Sequence, residues 1–171
     1  MVNISRTHLD ALRLVAKNRF DPASTTATAS ATNWKLTDGD AASGYFRFDI
    51  DLLAGESARS LVVEISETEK KRFAFVGLYC FPELPDREEQ IPAFDQAFRF
   101  VAEQLEQILG KSTAAGRYSY PHRTWDYSYC WWSLPEAELA LVQDEFDIQD
   151  GLDVTLWIFP AGYQCIFPLQ P

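Results

Sequence analysis

The sequence predicts an α+β fold in which two main helices pack on a curved antiparallel sheet. Three observations carry that expectation. Two segments place apolar residues at helical spacing. The stretches after each of them alternate apolar and polar residues over strand-like lengths. Glycines, prolines and short charged runs fall between these segments, where turns belong. With 171 residues, 47% of them hydrophobic, the chain reads as a single domain, 1–171, large enough to bury a core.

The first helix is expected over Ser5–Phe20, with Leu9, Leu12, Val15 and Ala16 as its apolar stripe and Ser5 as N-cap. Asp21–Asn33 is small and polar and reads as a loop. Four strands follow: Trp34–Thr37, Tyr45–Leu52, Leu61–Ser66 and Arg72–Cys80, with turns at Gly39, Gly44, Gly55 and Glu67–Lys71. In the second of them Phe46, Phe48 and Ile50 share one face, and Arg47, Asp49 and Asp51 share the other. Pro82 and Pro85 end this run. The stronger helix begins between Asp86 and Pro92 and carries Ile91, Phe94, Phe98, Val101, Leu105, Ile108 and Leu109 to a stop at Gly110-Lys111. Ser112–Arg123 reads as a loop. Strands are then expected at Trp125–Trp132, Glu138–Gln143, Leu152–Phe159 and Tyr163–Phe167. Over Leu134–Phe146 the period is ambiguous, since Ser133 with Glu136 also fits the capping box of a helix. The short Leu139-Ala-Leu-Val run between two strands favours a strand.

The order is therefore helix, four strands, helix, four strands. Val76-Gly-Leu-Tyr-Cys-Phe-Pro82 and Val154-Thr-Leu-Trp-Ile-Phe-Pro160 share the pattern V-x-L-aromatic-x-F-P, as a helix-plus-four-strand repeat would. Two buried strands that each end in proline would give the same pattern by coincidence.

Charge is distributed unevenly. All 15 Lys and Arg lie within the first 123 residues, against 17 Asp and Glu, so that part carries −2. The last 48 residues hold eight carboxylates and no Lys or Arg, which places −8 of the net −10 in the C-terminal quarter. An acidic chain of this kind is unsuited to nucleic acid or to an anionic membrane, both of which are bound through cations. No secretory signal is evident at the N-terminus, and no apolar run approaches the roughly 20 residues that span a bilayer. The three cysteines, Cys80, Cys130 and Cys165, sit in strand-like runs and read as buried free thiols of a cytoplasmic protein.

Catalytic and cofactor motifs fail on inspection. Gly110-Lys111-Ser112-Thr113 imitates the end of a phosphate-binding loop, but it follows a helix instead of preceding one, and Leu105 stands where the first glycine belongs. His8 and His122 are the only histidines, and neither has a local nucleophile partner. Cys and His are too far apart for a zinc site. The run Asp144–Gly151 misses the calcium-loop pattern, because Phe146 takes the first ligand position. The expectation is a non-enzymatic protein with no cofactor and no metal.

The candidate binding residues lie in the acidic quarter. Trp125, Tyr127, Tyr129 and Trp131 share one face of an extended strand, and Trp132 takes the other. Asp144, Glu145, Asp147 and Asp150 fall before and within one predicted turn, placed for outward presentation. A carboxylate rim around aromatic anchors suits a basic protein partner. A core position explains the stripe equally well.

The strand Tyr127–Trp132, the segment Leu139-Ala-Leu-Val-Gln-Asp-Glu-Phe-Asp147 and the strand Asp153–Trp157 resemble the C-terminal strands of small bacterial toxin-immunity proteins. The resemblance covers about the last 45 residues and rests on pattern, with no invariant motif. It implies a cytoplasmic inhibitor that occludes the active site of a cognate toxin or effector domain. A secretion chaperone or adaptor, usually dimeric, is the alternative, and a small-molecule binder or enzyme the third. Either a monomer or a homodimer is compatible with the sequence.

Overall fold

A computed structural model of the chain describes residues 4–50, 59–66, 71–81, 88–121, 123–145, 151–164, 166 and 167. Among them are three helices and one eight-stranded antiparallel sheet, an α+β fold. Helix α1 (Arg6–Lys17) is capped by Ser5, whose hydroxyl accepts the His8 amide at 3.2 Å. It buries Leu9, Ala11, Leu12, Val15 and Ala16, the predicted stripe and one alanine beside it. Arg19 and Phe20 then adopt left-handed conformations, and the chain turns with Phe20 fully buried.

The segment read as a loop, Asp21–Asn33, is largely a second helix, α2 (Pro22–Ala31). Asp21 accepts the Ser24 amide at 2.9 Å, and Pro22 occupies the first turn, where a missing N–H costs nothing. Its buried residues, Thr25, Thr28 and Ala29, are too small to mark an apolar stripe in the sequence.

The first four strands are β1 (Lys35–Asp40), β2 (Tyr45–Ile50), β3 (Arg59–Ser66) and β4 (Lys71–Phe81). Phe46, Phe48 and Ile50 are buried on one face of β2, as alternation predicted. Gly39 lies inside β1 and not at a turn. Helix α3 (Ile91–Leu109) follows a short 3-10 turn at Glu88–Gln90, and Gly110 caps it at φ +88°. Phe94, Ala97, Phe98, Val101 and Leu105 are its buried face.

The last four strands are β5 (Ala114–Tyr118), β6 (Tyr127–Ser133), β7 (Ala137–Asp144) and β8 (Leu152–Pro160). β5 falls in a segment read as a loop, and Trp125 precedes β6 instead of starting it. The strand expected at Tyr163–Phe167 is absent among the described residues, which turn back over the sheet instead. The predicted turn residues Gly55, Asp147 and Asp150 lie outside the described residues, as do His122 and Cys165.

Strand order is β1-β2-β3-β4-β8-β7-β6-β5. Each run of four strands is a meander, and the two join where β4 pairs antiparallel with β8. Val76 lies opposite Leu156 and Gly77 opposite Thr155, and a bulge before Tyr79 sets Tyr79 opposite Val154. Both strands of the V-x-L-aromatic-x-F-P pattern thus meet at the middle of the sheet.

The register sorts residues by face. One row runs Trp132, Leu139, Ile158, Ala74, Val63 and belongs to the core beneath the helices. The Trp132 indole N–H donates to the Gly110 carbonyl at the end of α3, 3.0 Å away. The adjacent row, Trp131, Ala140, Trp157, Phe75, lies on the opposite face. There Tyr163 stacks on Phe159 and Phe167 stacks on Tyr129, with centroids 4.1 and 3.8 Å apart. Strand β7 is buried along its whole length, on both faces. Among the described residues no helix is long and apolar enough to cross a membrane.

Because α2 buries so little apolar surface, its cap carries an unusual share of its stability. Asp21→Ala should cost about 1 kcal/mol in urea unfolding. It should also raise amide exchange through Pro22–Ala31 selectively, leaving α1 protected.

Candidate functional site

The structure divides the predicted site residues into three groups. Trp132 is core, on the helix face. Tyr129 and Trp131 are half-buried on the opposite face, where the Trp131 indole donates to Glu138 at 2.7 Å. The remaining residues, Trp125, Tyr127, Asp144 and Glu145, converge at one end of the sheet, where the β5–β6 connection crosses the end of β7.

At that end the expected outward presentation of Asp144 and Glu145 is corrected. Asp144 is only 6% exposed. Its Oδ1 accepts the Tyr120 hydroxyl at 3.0 Å and the Glu145 amide at 2.8 Å. The Glu145 side chain is 4% exposed. Arg123 grips it as a fork: Nε lies 3.0 Å from both carboxylate oxygens, and Nη2 bonds Oε1 as well. The Tyr127 hydroxyl donates to Oε2 at 2.9 Å. Two adjacent carboxylates at the end of a buried strand would repel and lack solvation; inward-facing donors solve both problems.

The surrounding residues complete the brace. The Tyr118 hydroxyl donates to the Gln143 carbonyl. The Gln143 side chain accepts the Ser128 amide at 2.7 Å and donates to Asp95 of α3 at 3.0 Å. Tyr127 is fully buried, with ring centroids of Tyr118, Tyr120 and Phe94 at 5.5, 5.3 and 6.3 Å. The Arg123 guanidinium lies 5.3 Å from the Trp125 ring centroid, a cation–π contact, and so holds that half-buried ring in place. Ser119, Pro121, Thr124 and Asp126 remain exposed along the same connection.

Protonation follows from this packing. Burial, with the carboxylates nearby, pushes the Tyr118, Tyr120 and Tyr127 hydroxyls well above the ordinary tyrosine range, so they stay neutral donors. Hydrogen bonds to Glu145 hold Arg123 charged. Burial raises Asp144 above the usual aspartate range, and the Glu145 charge adds to the effect. On the helix face, burial pushes the Cys130 thiol up to about 11, which removes it as a thiolate nucleophile at neutral pH. Among the described residues no three His, Cys, Asp or Glu side chains are placed to share a metal ion. The arrangement holds a loop still.

Sequence reasoning missed Arg123, Tyr118, Tyr120 and Gln143. The signal for Arg123 was present: it is the last cation before eight carboxylates, and so the nearest partner in sequence for a buried one. Glu138 was missed too. It is buried at 4% exposure and accepts Trp131, Ser133 at 3.0 Å and the Gly162 amide at 3.1 Å, tying β6 to the turn after β8.

Two outcomes test the brace. Arg123→Gln leaves Glu145 buried without its cation and should cost about 3 kcal/mol in urea unfolding; adding Glu145→Gln should restore part of that loss. Asp144 responds to pH in the opposite sense from a salt-bridged acid. With its folded pKa raised, the folded state holds the proton more tightly than the unfolded chain, so stability falls as pH rises above the ordinary 3.8. Asp144→Asn should therefore stabilise the protein at pH 7, and the gain should vanish below pH 3.8.

No known protein family, curated protein or solved structure matches the chain.

Proposed function

We propose that the protein is a non-enzymatic, acidic binding protein that docks a basic protein partner through the β5–β6 connection and the adjoining C-terminal quarter. The supporting observation is the brace. Arg123, Tyr118, Tyr120, Tyr127 and Glu145 fix an exposed connection whose residues Trp125 and Asp126 then need little further ordering to bind. The half-buried Tyr129, Trp131, Tyr163 and Phe167 on the face away from the helices extend the surface with aromatic anchors. The net charge of −10 supplies the attraction for a cationic partner.

In its specific form the reading is an immunity protein in the cytoplasm of a bacterium, which occludes the active site of a cognate basic toxin domain. That form is supported by the resemblance of the C-terminal strands. The inward turn of Asp144 and Glu145 reassigns their role: they position the surface, and Trp125, Asp126, Asp147 and Asp150 are the residues that would touch the partner.

We also infer that the chain is a duplicated helix-plus-four-strand unit. Each half is a meander of four strands. The terminal strands of the halves pair antiparallel, and the shared sequence pattern occupies both. α2 has no counterpart among the described residues of the second half.

The test first looks for a toxin-like protein encoded beside this chain and takes it as the partner; the absence of one counts against the immunity form of the reading. Asp126→Lys combined with Asp147→Lys should slow association about ten-fold and flatten its salt dependence, with the fold intact. Trp125→Ala should raise the dissociation rate. Unchanged kinetics for both variants would remove the proposed surface.

A further inference from the structure

Among the described residues the sheet is open, and its two edge strands, β1 and β5, differ. Edge β1 is guarded. Its register slips between Leu36 and Asp38, Gly39 sits at φ +84° where a Cβ would overlap the Tyr45 carbonyl, and exposed Lys35, Asp38 and Asp40 bring charges of both signs. Edge β5 is less guarded: it keeps its register, carries a single charge, and its one glycine, Gly116, has no positive φ. Its five residues, Ala-Ala-Gly-Arg-Tyr, pair with β6 from Ala114↔Trp131 to Tyr118↔Tyr127 without a shift. It holds no proline and no carboxylate, and three of its side chains are Ala or Gly.

We propose that β5 is an acceptor edge, at which an extended segment of another protein adds as a ninth strand and places a carboxylate opposite Arg117. The backbone of β5 is already held straight. The Tyr118 hydroxyl anchors one end to the Gln143 carbonyl, and Tyr129 lies against Gly116, its hydroxyl oxygen 2.8 Å from where a Cβ would stand. An edge fixed in this way pairs with an incoming strand at little ordering cost. The outward N–H and C=O groups of an edge strand are matched by another extended backbone.

Side chains set the chemistry of that strand. Ala115 and Arg117 lie opposite Cys130 and Ser128, on the same face of the sheet, and both are exposed. Lys111, just before the strand, is exposed too. Small residues beside Ala115 leave room for a neighbour, and Arg117 is the one charge in the strand, so a cross-strand Glu or Asp is favoured. A second copy is a poorer occupant: two chains of −10 repel, and self-pairing brings no carboxylate of β5 to Arg117. This edge is separate from the braced connection and does not depend on the identity of a partner there.

The test titrates the whole isotopically labelled chain with a ten-residue Val/Thr peptide bearing one central Glu, and with the same peptide bearing Lys. Glu-peptide should shift and protect the amides of Ala114–Tyr118 while leaving β1 unchanged. The Lys-peptide should bind about five-fold more weakly. Arg117→Glu, an exposed substitution expected to leave the melting temperature unchanged, should invert the preference. Three results would overturn the proposal: no change at Ala114–Tyr118 at millimolar peptide, equal affinity for both peptides, or β5 already protected by self-association of the chain alone.

Discussion

A strand buried on both faces that still ends in two adjacent carboxylates sets the terms for this fold. β7 has no exposed residue, and Asp144 and Glu145 stand at its end with almost no access to water. Ionised carboxylates in such a place need donors, and most of them come from the connection between β5 and β6 and from the first residue of β6. Arg123 and the hydroxyls of Tyr120 and Tyr127 all come from that stretch. The demand of β7 therefore fixes the path of residues far from it in sequence. Through the Arg123–Trp125 contact it also holds the half-buried Trp125 ring of that connection.

Seen this way, the charge asymmetry of the chain has two components. Part of the acidity of the last 48 residues is internal and structural: Asp144, Glu145 and Glu138 are all buried. Of the others, Glu136 pairs with Arg13, and Asp126 is exposed. Charge steers encounter, but affinity depends on surfaces that do not have to reorganise. A brace of buried ions and hydroxyls gives rigidity at a cost in stability, a trade that suits a recognition surface better than a core.

Much of the fold was legible in the sequence. Leu9, Leu12, Val15 and Ala16 marked α1, and Phe94, Phe98, Val101 and Leu105 marked α3, because large apolar side chains at helical spacing leave a clear period. The alternation of Phe46, Phe48 and Ile50 marked β2 for the same reason. α2 escaped because Thr25, Thr28 and Ala29 pack through smallness, and only its Asp-Pro start betrayed it. β5 escaped because Ala, Ala and Gly alternate without contrast in polarity. At the site, the facing of Tyr129, Trp131 and Trp132 followed from strand geometry. The inward turn of Asp144 and Glu145 did not, since periodicity says nothing about where a carboxylate finds its donor. That depends on Arg123 and Tyr120 meeting it across the fold.

The central claim is that the β5–β6 connection is held rigid in the free protein by the buried carboxylates at the end of β7. Amide hydrogen exchange of the free chain measures this directly. The account predicts that the amides of Arg123, bonded to the Tyr120 carbonyl, and of Tyr127, paired with Tyr118, exchange slowly, and that Arg123→Gln abolishes this protection while β1–β4 stay protected. Exchange of these amides at unfolded-chain rates in the unmodified protein would contradict it.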